Sequence, residues 1–294
     1  MGIEATKRVR RGSVVGVFDG VHRGHVYLLH TLRSLCAERA LEPVALTFAQ
    51  HPLQLIDPKR VPPLLAERSR SFELIAAEGV TPVVLDFDAQ LRALTARQFM
   101  AHIRDRYGVT LLMLGFNNRI GSDGPHSPEQ YRLIGEREGV EVVIAPPYPD
   151  EAVSSSMIRK LIIEGSVEQA GRLLGRRPEL CGTVVSGRRL GRTIGFPTAN
   201  LDVSREPMAV PSAGVYAARA LNRVAVVNIG SRPTVEGHHK TIEVHIDDFS
   251  GNLYGSTLQV ELLRKLRNEQ RFPSLDALRA AIQADLIAAR RNQP

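Results

Sequence analysis

Gly16-Val17-Phe18-Asp19-Gly20-Val21-His22-Arg23-Gly24-His25 follows the apolar pair Val14-Val15. An apolar β-branched run that breaks at glycines before an amphipathic stretch reads as a first strand handing over to a first helix. Open α/β sheets bind ligands in the crevice at the carboxyl ends of their strands, so this turn is the first place to look for chemistry. Imidazoles at i and i+3 face one side of a helix start, where unpaired N–H groups and the helix dipole favour bound phosphate. That arrangement suits nucleotidyl transfer, in which an attacking phosphate displaces pyrophosphate and the protein chiefly aligns partners and stabilises charge. The same spacing also serves surface, core or metal-ligand roles. A zinc site needs at least a third ligand, and the sequence marks neither His51 nor His126 for it. The two commonest nucleotide signatures, G-x-x-x-x-G-K-[ST] and G-x-G-x-x-G, are absent.

Working outward, the first half alternates short β-rich runs with longer amphipathic stretches. Strands are expected at Val14–Phe18, Pro43–Phe48, Thr81–Leu85, Thr110–Leu114 and Val140–Ala145. Helices are expected at His25–Arg39, Ala66–Ala77, Ala96–Tyr107 and Pro128–Glu138. This is the pattern of an α/β doubly wound parallel sheet. Two further helices, around Met157–Glu164 and Val167–Leu174, read as the end of that domain. From Glu179 the texture changes to strand-like runs broken by Gly, Pro and Asn: Cys181–Ser186, Val215–Ala220, Val224–Ile229, Thr241–Ile246 and Leu258–Leu263. A small antiparallel β-barrel is the economical reading, closed by a C-terminal helix near Ser274–Arg290 with Ser274 as N-cap. The expected domains are 1–175 and 176–294.

Composition narrows the function classes. The chain has 294 residues, 43% hydrophobic and 23% charged, with no apolar stretch long enough to span a bilayer. Its start, Met1 to Gly12, is basic but lacks the apolar core of a signal peptide. Cys36 and Cys181 are far apart in apolar contexts, which suits reduced thiols in the cytoplasm better than a disulfide framework. A net charge of +7 raises the question of nucleic acid. The arginines are dispersed, aromatic residues are scarce and no nucleic-acid signature occurs, so polyanionic small molecules such as nucleotides explain the charge as well. No membrane or nucleic-acid partner is expected, and the sequence sets no oligomeric state.

In the second half, Gly187-Arg188-Arg189-Leu190-Gly191-Arg192-Thr193-Ile194-Gly195-Phe196-Pro197-Thr198-Ala199-Asn200 is the densest motif. A glycine- and arginine-rich loop brings amides and guanidinium groups to phosphates. Pro197 then fixes the chain so that Thr198 and Asn200 project from one side. A hydroxyl and an amide oxygen are hard donors suited to Mg²⁺. By composition alone the same segment is equally a barrel turn with solvated arginines. Glu243, between Ile242 and Val244 in an expected strand, points opposite to both. Such a glutamate ordinarily faces solvent.

Taken together, these motifs resemble the bacterial bifunctional riboflavin kinase/FAD synthetase family, whose N-terminal half belongs to the H-x-G-H nucleotidyltransferases. The resemblance runs over essentially the whole chain. Besides Gly16–His25 it rests on Thr47-Phe48-Ala49-Gln50-His51-Pro52, Leu85-Asp86-Phe87-Asp88, Leu94–Phe99, Val153–Arg159 and the hexapeptide Gly195-Phe196-Pro197-Thr198-Ala199-Asn200. It implies a Rossmann-like FMN adenylyltransferase domain followed by a riboflavin kinase barrel, with ATP as co-substrate, Mg²⁺ as cofactor, and riboflavin, FMN and FAD as substrates and products.

In the first half the resemblance implies that His22 and His25 hold and stabilise ATP phosphates. Gly16, Phe18, Asp19 and Gly24 belong to the same ATP-binding turn, and Asn117 to a nucleotide-contacting loop. Ser155, Ser156 and Arg159 would match the family's S-S-T-x-I-R segment, with Arg159 at the phosphates. In the second half it implies Gly195, Thr198 and Asn200 at ATP, the last two also at Mg²⁺. Glu243 would be the general base for the ribityl 5′-hydroxyl, and Arg267, Glu269 and Phe272 would lie at the flavin. The chain departs from the family pattern G-E-[DN]-F-x-F-G, with Gly115-Phe116-Asn117-Asn118-Arg119-Ile120-Gly121 in its place, and Ser156 replaces a threonine. Two alternatives therefore stay open on the sequence: a riboflavin kinase with a nucleotide-binding but inactive N-terminal domain, and a flavin-binding regulator without turnover.

Overall fold

A computed structural model describes residues 9–115, 118–124, 126–187, 191, 194–234 and 237–291. The chain divides into two compact units, Met1–Pro62 with Arg68–Ala152, and Pro63–Glu67 with Val153–Pro294.

The first unit carries strands β1 (Arg11–Val15), β2 (Glu42–Phe48), β3 (Thr81–Leu85), β4 (Val109–Leu114) and β5 (Glu141–Ile144). They form one parallel sheet in the order β3-β2-β1-β4-β5. Its helices are α1 (Arg23–Glu38), the short α2 (Leu53–Ile56), α3 (Arg68–Ala77), α4 (Ala89–Ala93), α5 (Ala96–Tyr107) and α6 (Pro128–Glu138). β4 shows why the sheet is covered on both faces. Leu111 and Met113 pack with Leu29, Leu32 and Ile75 of α1 and α3. Leu112 and Leu114 pack with Phe99, Met100 and Ile103 of α5. A strand buried on both sides is a run of apolar residues rather than an alternation. Strand order reverses between β1 and β4, which places the sheet's binding crevice at their carboxyl ends.

Helix boundaries follow local chemistry. Thr95 and Ser127 each open a helix with a full capping box closed by Gln98 and Gln130, and Gly108 and Gly139 end those helices in the left-handed region. α5 and α6 accordingly match the expected ranges. β1 stops at Val15, three residues before the expected Phe18, because the backbone turns positive there: Phe18 has φ 50° and Gly20 φ 72°.

The second unit begins with α7 (Ser155–Glu164) and α8 (Val167–Leu174). Both were expected to close the first domain. In the structure Ile158, Ile162, Ala170 and Leu174 of these helices bury against Leu65 and Ala209 within the second unit. Six strands follow: β6 (Glu179–Val185), β7 (Ala199–Asp202), β8 (Gly214–Ala220), β9 (Arg223–Thr234), β10 (Gly237–Ile246) and β11 (Thr257–Arg267). They close an antiparallel barrel in the order β10-β7-β6-β11-β8-β9. The short β7 was missed in the sequence because Pro197 and Asn200 weaken its strand signal. Inward-facing Leu180, Val184, Tyr216, Val227, Ile242, Val244 and Val260 fill the barrel. The final helix, α9 (Leu275–Arg290), is capped by Ser274, which accepts from Ala277 N–H at 3.2 Å. Leu286 and Ala289 of α9 cover Val215, Ala217 and Val226 on the outer face of the barrel.

Leu286→Ala removes the main apolar anchor of α9 and should destabilise the chain by roughly 2–4 kcal/mol. Thermal unfolding followed by circular dichroism checks this.

Candidate active sites

In the first unit, the turn after β1 is wound tightly enough to set two histidines side by side. Gly16 N–H donates to the Leu46 carbonyl at 3.1 Å, one residue beyond the end of β1. Beyond it, Phe18 and Val21 hold positive φ values of 50° and 39° while almost fully buried. Non-glycine residues pay strain for that conformation, and such strain gathers where a site is held in shape. His22 is the N-cap of α1, and its Nδ1 accepts from His25 N–H at 3.3 Å. That bond requires Nδ1 of His22 to be unprotonated, which leaves Nε2 as its donor. The two rings stack at 3.7 Å between centroids, and Phe18 sets its edge against His25 at 5.2 Å. Burial, reinforced by the neighbouring His22, holds His25 well below the ordinary imidazole range. Its Nδ1 is buried without a hydrogen-bond partner. A neutral imidazole with an unsatisfied nitrogen at a helix start is poised for an anion, whose charge would raise its affinity for a proton.

The structure brings Gly16, Phe18, Asp19, His22, Gly24 and His25 into this one turn, with Asp19 buried. Asn117 lies outside the described residues. Ser155, Ser156 and Arg159 sit on α7, in the second compact unit. Ser154, rather than either of the named serines, caps that helix by accepting from Met157 N–H at 3.2 Å. Arg159 donates Nε to the Pro63 carbonyl at 2.6 Å.

In the second unit, strand register supplies the geometry. Glu243 of β10 pairs directly with Asn200 of β7, so both side chains leave the same face roughly 5 Å apart at Cβ. Thr198 lies two residues before Asn200, just ahead of β7. Ile242 and Val244 point into the barrel core, and Glu243 points out of it. The loop before β7 is shaped to fit. A Cβ at Gly187 would land on the Asn200 carboxamide, and one at Gly191 on the Phe196 carbonyl. Gly195 has φ 87°. Arg188, Arg189, Leu190, Arg192 and Thr193 lie outside the described residues. Beside Thr198 opens a cavity of about 600 Å³, lined by Pro197, Val244, Phe249, Leu253 and Tyr254 among others.

Two residues that sequence reasoning passed over hold this site. His245, one strand repeat beyond Glu243, is buried, shares a 2.8 Å hydrogen bond between its Nδ1 and the Pro197 carbonyl, and meets Phe196 edge to face. It ties the Glu243 strand to the segment that presents Thr198. Asp285 of α9 is also buried and takes Arg267 in a bidentate pair, Nη2 at 2.8 Å and Nε at 3.0 Å. Arg267 in turn lies over the Phe272 ring at 5.4 Å. Arg267 and Phe272 are thus brought together, while Glu269 lies against Gly230 of β9. An acid directly before the apolar run Leu286-Ile287-Ala288-Ala289 was the available signal for Asp285.

Comparisons with known proteins match both halves of the chain. The FAD synthetase family model matches residues 6–157, and the riboflavin kinase (flavokinase) model residues 174–293. Curated relatives named bifunctional riboflavin kinase/FMN adenylyltransferase include those of Pseudomonas fluorescens, 37% identical and covering 98% of this chain and 96% of the relative. The Escherichia coli K12 relative is 36% identical over 94% of this chain and 90% of its own. The Bacillus subtilis relative is 30% identical over 92% and 89%. A crystal structure described as a macrolide-efflux protein from Streptococcus pneumoniae superposes with a TM-score of 0.85 at 32% identity, covering 97% of this chain and 95% of the other.

Gly187→Ala should push the Asn200 carboxamide out of place, and a crystal structure of the variant checks the displacement. For His25 the native pKa lies below the unfolded one, so below about pH 6.5 the unfolded chain binds the extra proton and stability falls with pH. His25→Gln should flatten the stability–pH slope below pH 6.5 by up to roughly 1.4 kcal/mol per pH unit, measured by urea denaturation from pH 7 to 5.

Proposed function

The chain belongs to the bifunctional riboflavin kinase/FAD synthetase family, and on that premise we propose that residues 176–294 phosphorylate riboflavin to FMN while residues 1–175 adenylylate FMN to FAD. The observation that carries the kinase half is the register pair Glu243↔Asn200, which sets a carboxylate beside an amide oxygen donor on one face.

Riboflavin and ATP enter the kinase site. The ribityl 5′-hydroxyl oxygen attacks the γ-phosphorus, the bond to the β-bridging oxygen breaks and ADP leaves. Glu243 accepts the hydroxyl proton, because this transfer asks for a positioned acceptor and charge stabilisation rather than a covalent intermediate. Thr198 Oγ1 and Asn200 Oδ1 fit Mg²⁺, which is commonly held by few protein oxygens together with substrate phosphates. Bound there, Mg²⁺ would neutralise phosphate charge as it develops. His245 keeps Thr198 in register with Glu243 through the Pro197 carbonyl. The apolar cavity beside Thr198 suits the nucleoside end of ATP. Asp285 holds Arg267 against Phe272 at the proposed flavin end.

In the adenylyltransferase half, a phosphate oxygen of FMN attacks the α-phosphorus of ATP and pyrophosphate leaves. The nucleophile is already anionic, so no general base is needed. His22 and His25 donate from their ring nitrogens to the polyphosphate, and α1 presents its N-terminus to the same charge. Asn117 is assigned to ATP by family likeness, as are Ser155, Ser156 and Arg159, and the FAD synthetase match includes Asn117, Ser155 and Ser156. The efflux description of the pneumococcal structure is not carried over. Both free cysteines are in keeping with a reducing, cytoplasmic setting.

Glu243→Gln should lower riboflavin phosphorylation by at least about 100-fold and leave conversion of supplied FMN to FAD unchanged. His25→Ala should do the reverse. Chromatography of the flavins formed by each variant tests the assignment, and loss of both activities in either folded variant would refute separate sites.

A further inference from the structure

The crevice between β1 and β4 is crossed by one side chain that the family likeness leaves without a role. The β1–β4 ladder ends at the pair Val14↔Met113. Two residues on, Gly16 N–H turns to β2 and the Leu46 carbonyl. The preceding Val15 carbonyl faces the opposite way, toward β4, beyond the last ladder pair. That carbonyl has no ladder partner, and Asn118 meets it: Nδ2 donates to Val15 O at 2.8 Å. The Asn118 backbone N–H also donates to the Gly115 carbonyl at 3.1 Å. The loop after β4 is thereby fastened to the residue from which the histidine-bearing turn departs. Its far side has a separate anchor, since the Tyr131 hydroxyl accepts from Ile120 N–H at 2.9 Å and donates to the Ile120 carbonyl at 3.0 Å. With that second anchor in place, the loop keeps its attachment to the domain without Asn118, and what Asn118 adds is its position relative to β1.

We propose that Asn118 is a positioning residue of the adenylyl-transfer site, whose side-chain amide sets the spacing between the β4 loop and the His22–His25 turn for the ATP phosphates. The inference rests on the N-terminal half being an FMN adenylyltransferase.

The test uses the full chain, which carries its own control in the kinase reaction. Asn118→Ala should lower kcat/KM for FAD formation from FMN by roughly 10- to 100-fold, with KM for ATP raised. Riboflavin phosphorylation should be unchanged and Tm should move by no more than about 4 °C. Asn118→Asp keeps the size and loses the donor, so it should fall at least as far. Wild-type KM and kcat in Asn118→Ala, or full activity in Asn118→Asp, would overturn the inference. So would equal losses in both reactions with a large drop in Tm, the signature of a purely structural tie. A wild-type chain that makes FMN and no FAD would overturn the reading beneath it instead.

Discussion

Backbone polar groups that regular structure cannot pair shape the first site. Where β1 ends at Val15, the sheet's two central strands part company, and the N–H and carbonyl groups beyond the ladder must find other partners. Gly16 takes the Leu46 carbonyl, Val15 takes the Asn118 amide, and the turn winds through positive φ at Phe18 and Val21 to deliver His22 as the cap of α1. The N–H groups at the start of α1 and the stacked imidazoles then face one direction. Strain in the turn is offset by the burial of Phe18 and Val21 against α1 and the sheet. The shape of the His22–His25 turn is thus a by-product of ending a parallel strand at a topological switch point.

The second site uses a different constraint. Pleating sends alternate residues of a barrel strand to opposite faces, so one strand supplies both core and chemistry: Ile242, Val244 and Ile246 pack inward while Glu243 and His245 face outward. Register does the positioning that a helix terminus does in the first unit. Because Glu243 pairs with Asn200, and His245 grips the Pro197 carbonyl, the carboxylate and the oxygen donors cannot drift apart without breaking the barrel.

Much of this was legible in the sequence, for identifiable reasons. Helices α5 and α6 carry complete capping boxes, and Ser274 caps α9, so their limits can be read directly. The outward direction of Glu243 follows from period two. Three things were not legible. The end of β1 depends on positive φ at Phe18, which side-chain type does not announce. The packing of α7 and α8 with the barrel unit depends on Leu65, a residue nearly a hundred positions away in sequence. His245, Asp285 and Asn118 act through partners that only the fold brings near: a proline carbonyl, an arginine and the last carbonyl of a strand. Pattern reading finds residues whose chemistry is intrinsic and misses those whose role is set by what they touch.

The central claim, that one chain holds two working sites, is tested most directly by a time course of the purified wild-type protein with riboflavin, ATP and Mg²⁺, run beside a reaction started from FMN. The account predicts that FMN rises first and FAD follows in one, and that FAD forms without delay in the other. FMN accumulating without FAD in both reactions would contradict it.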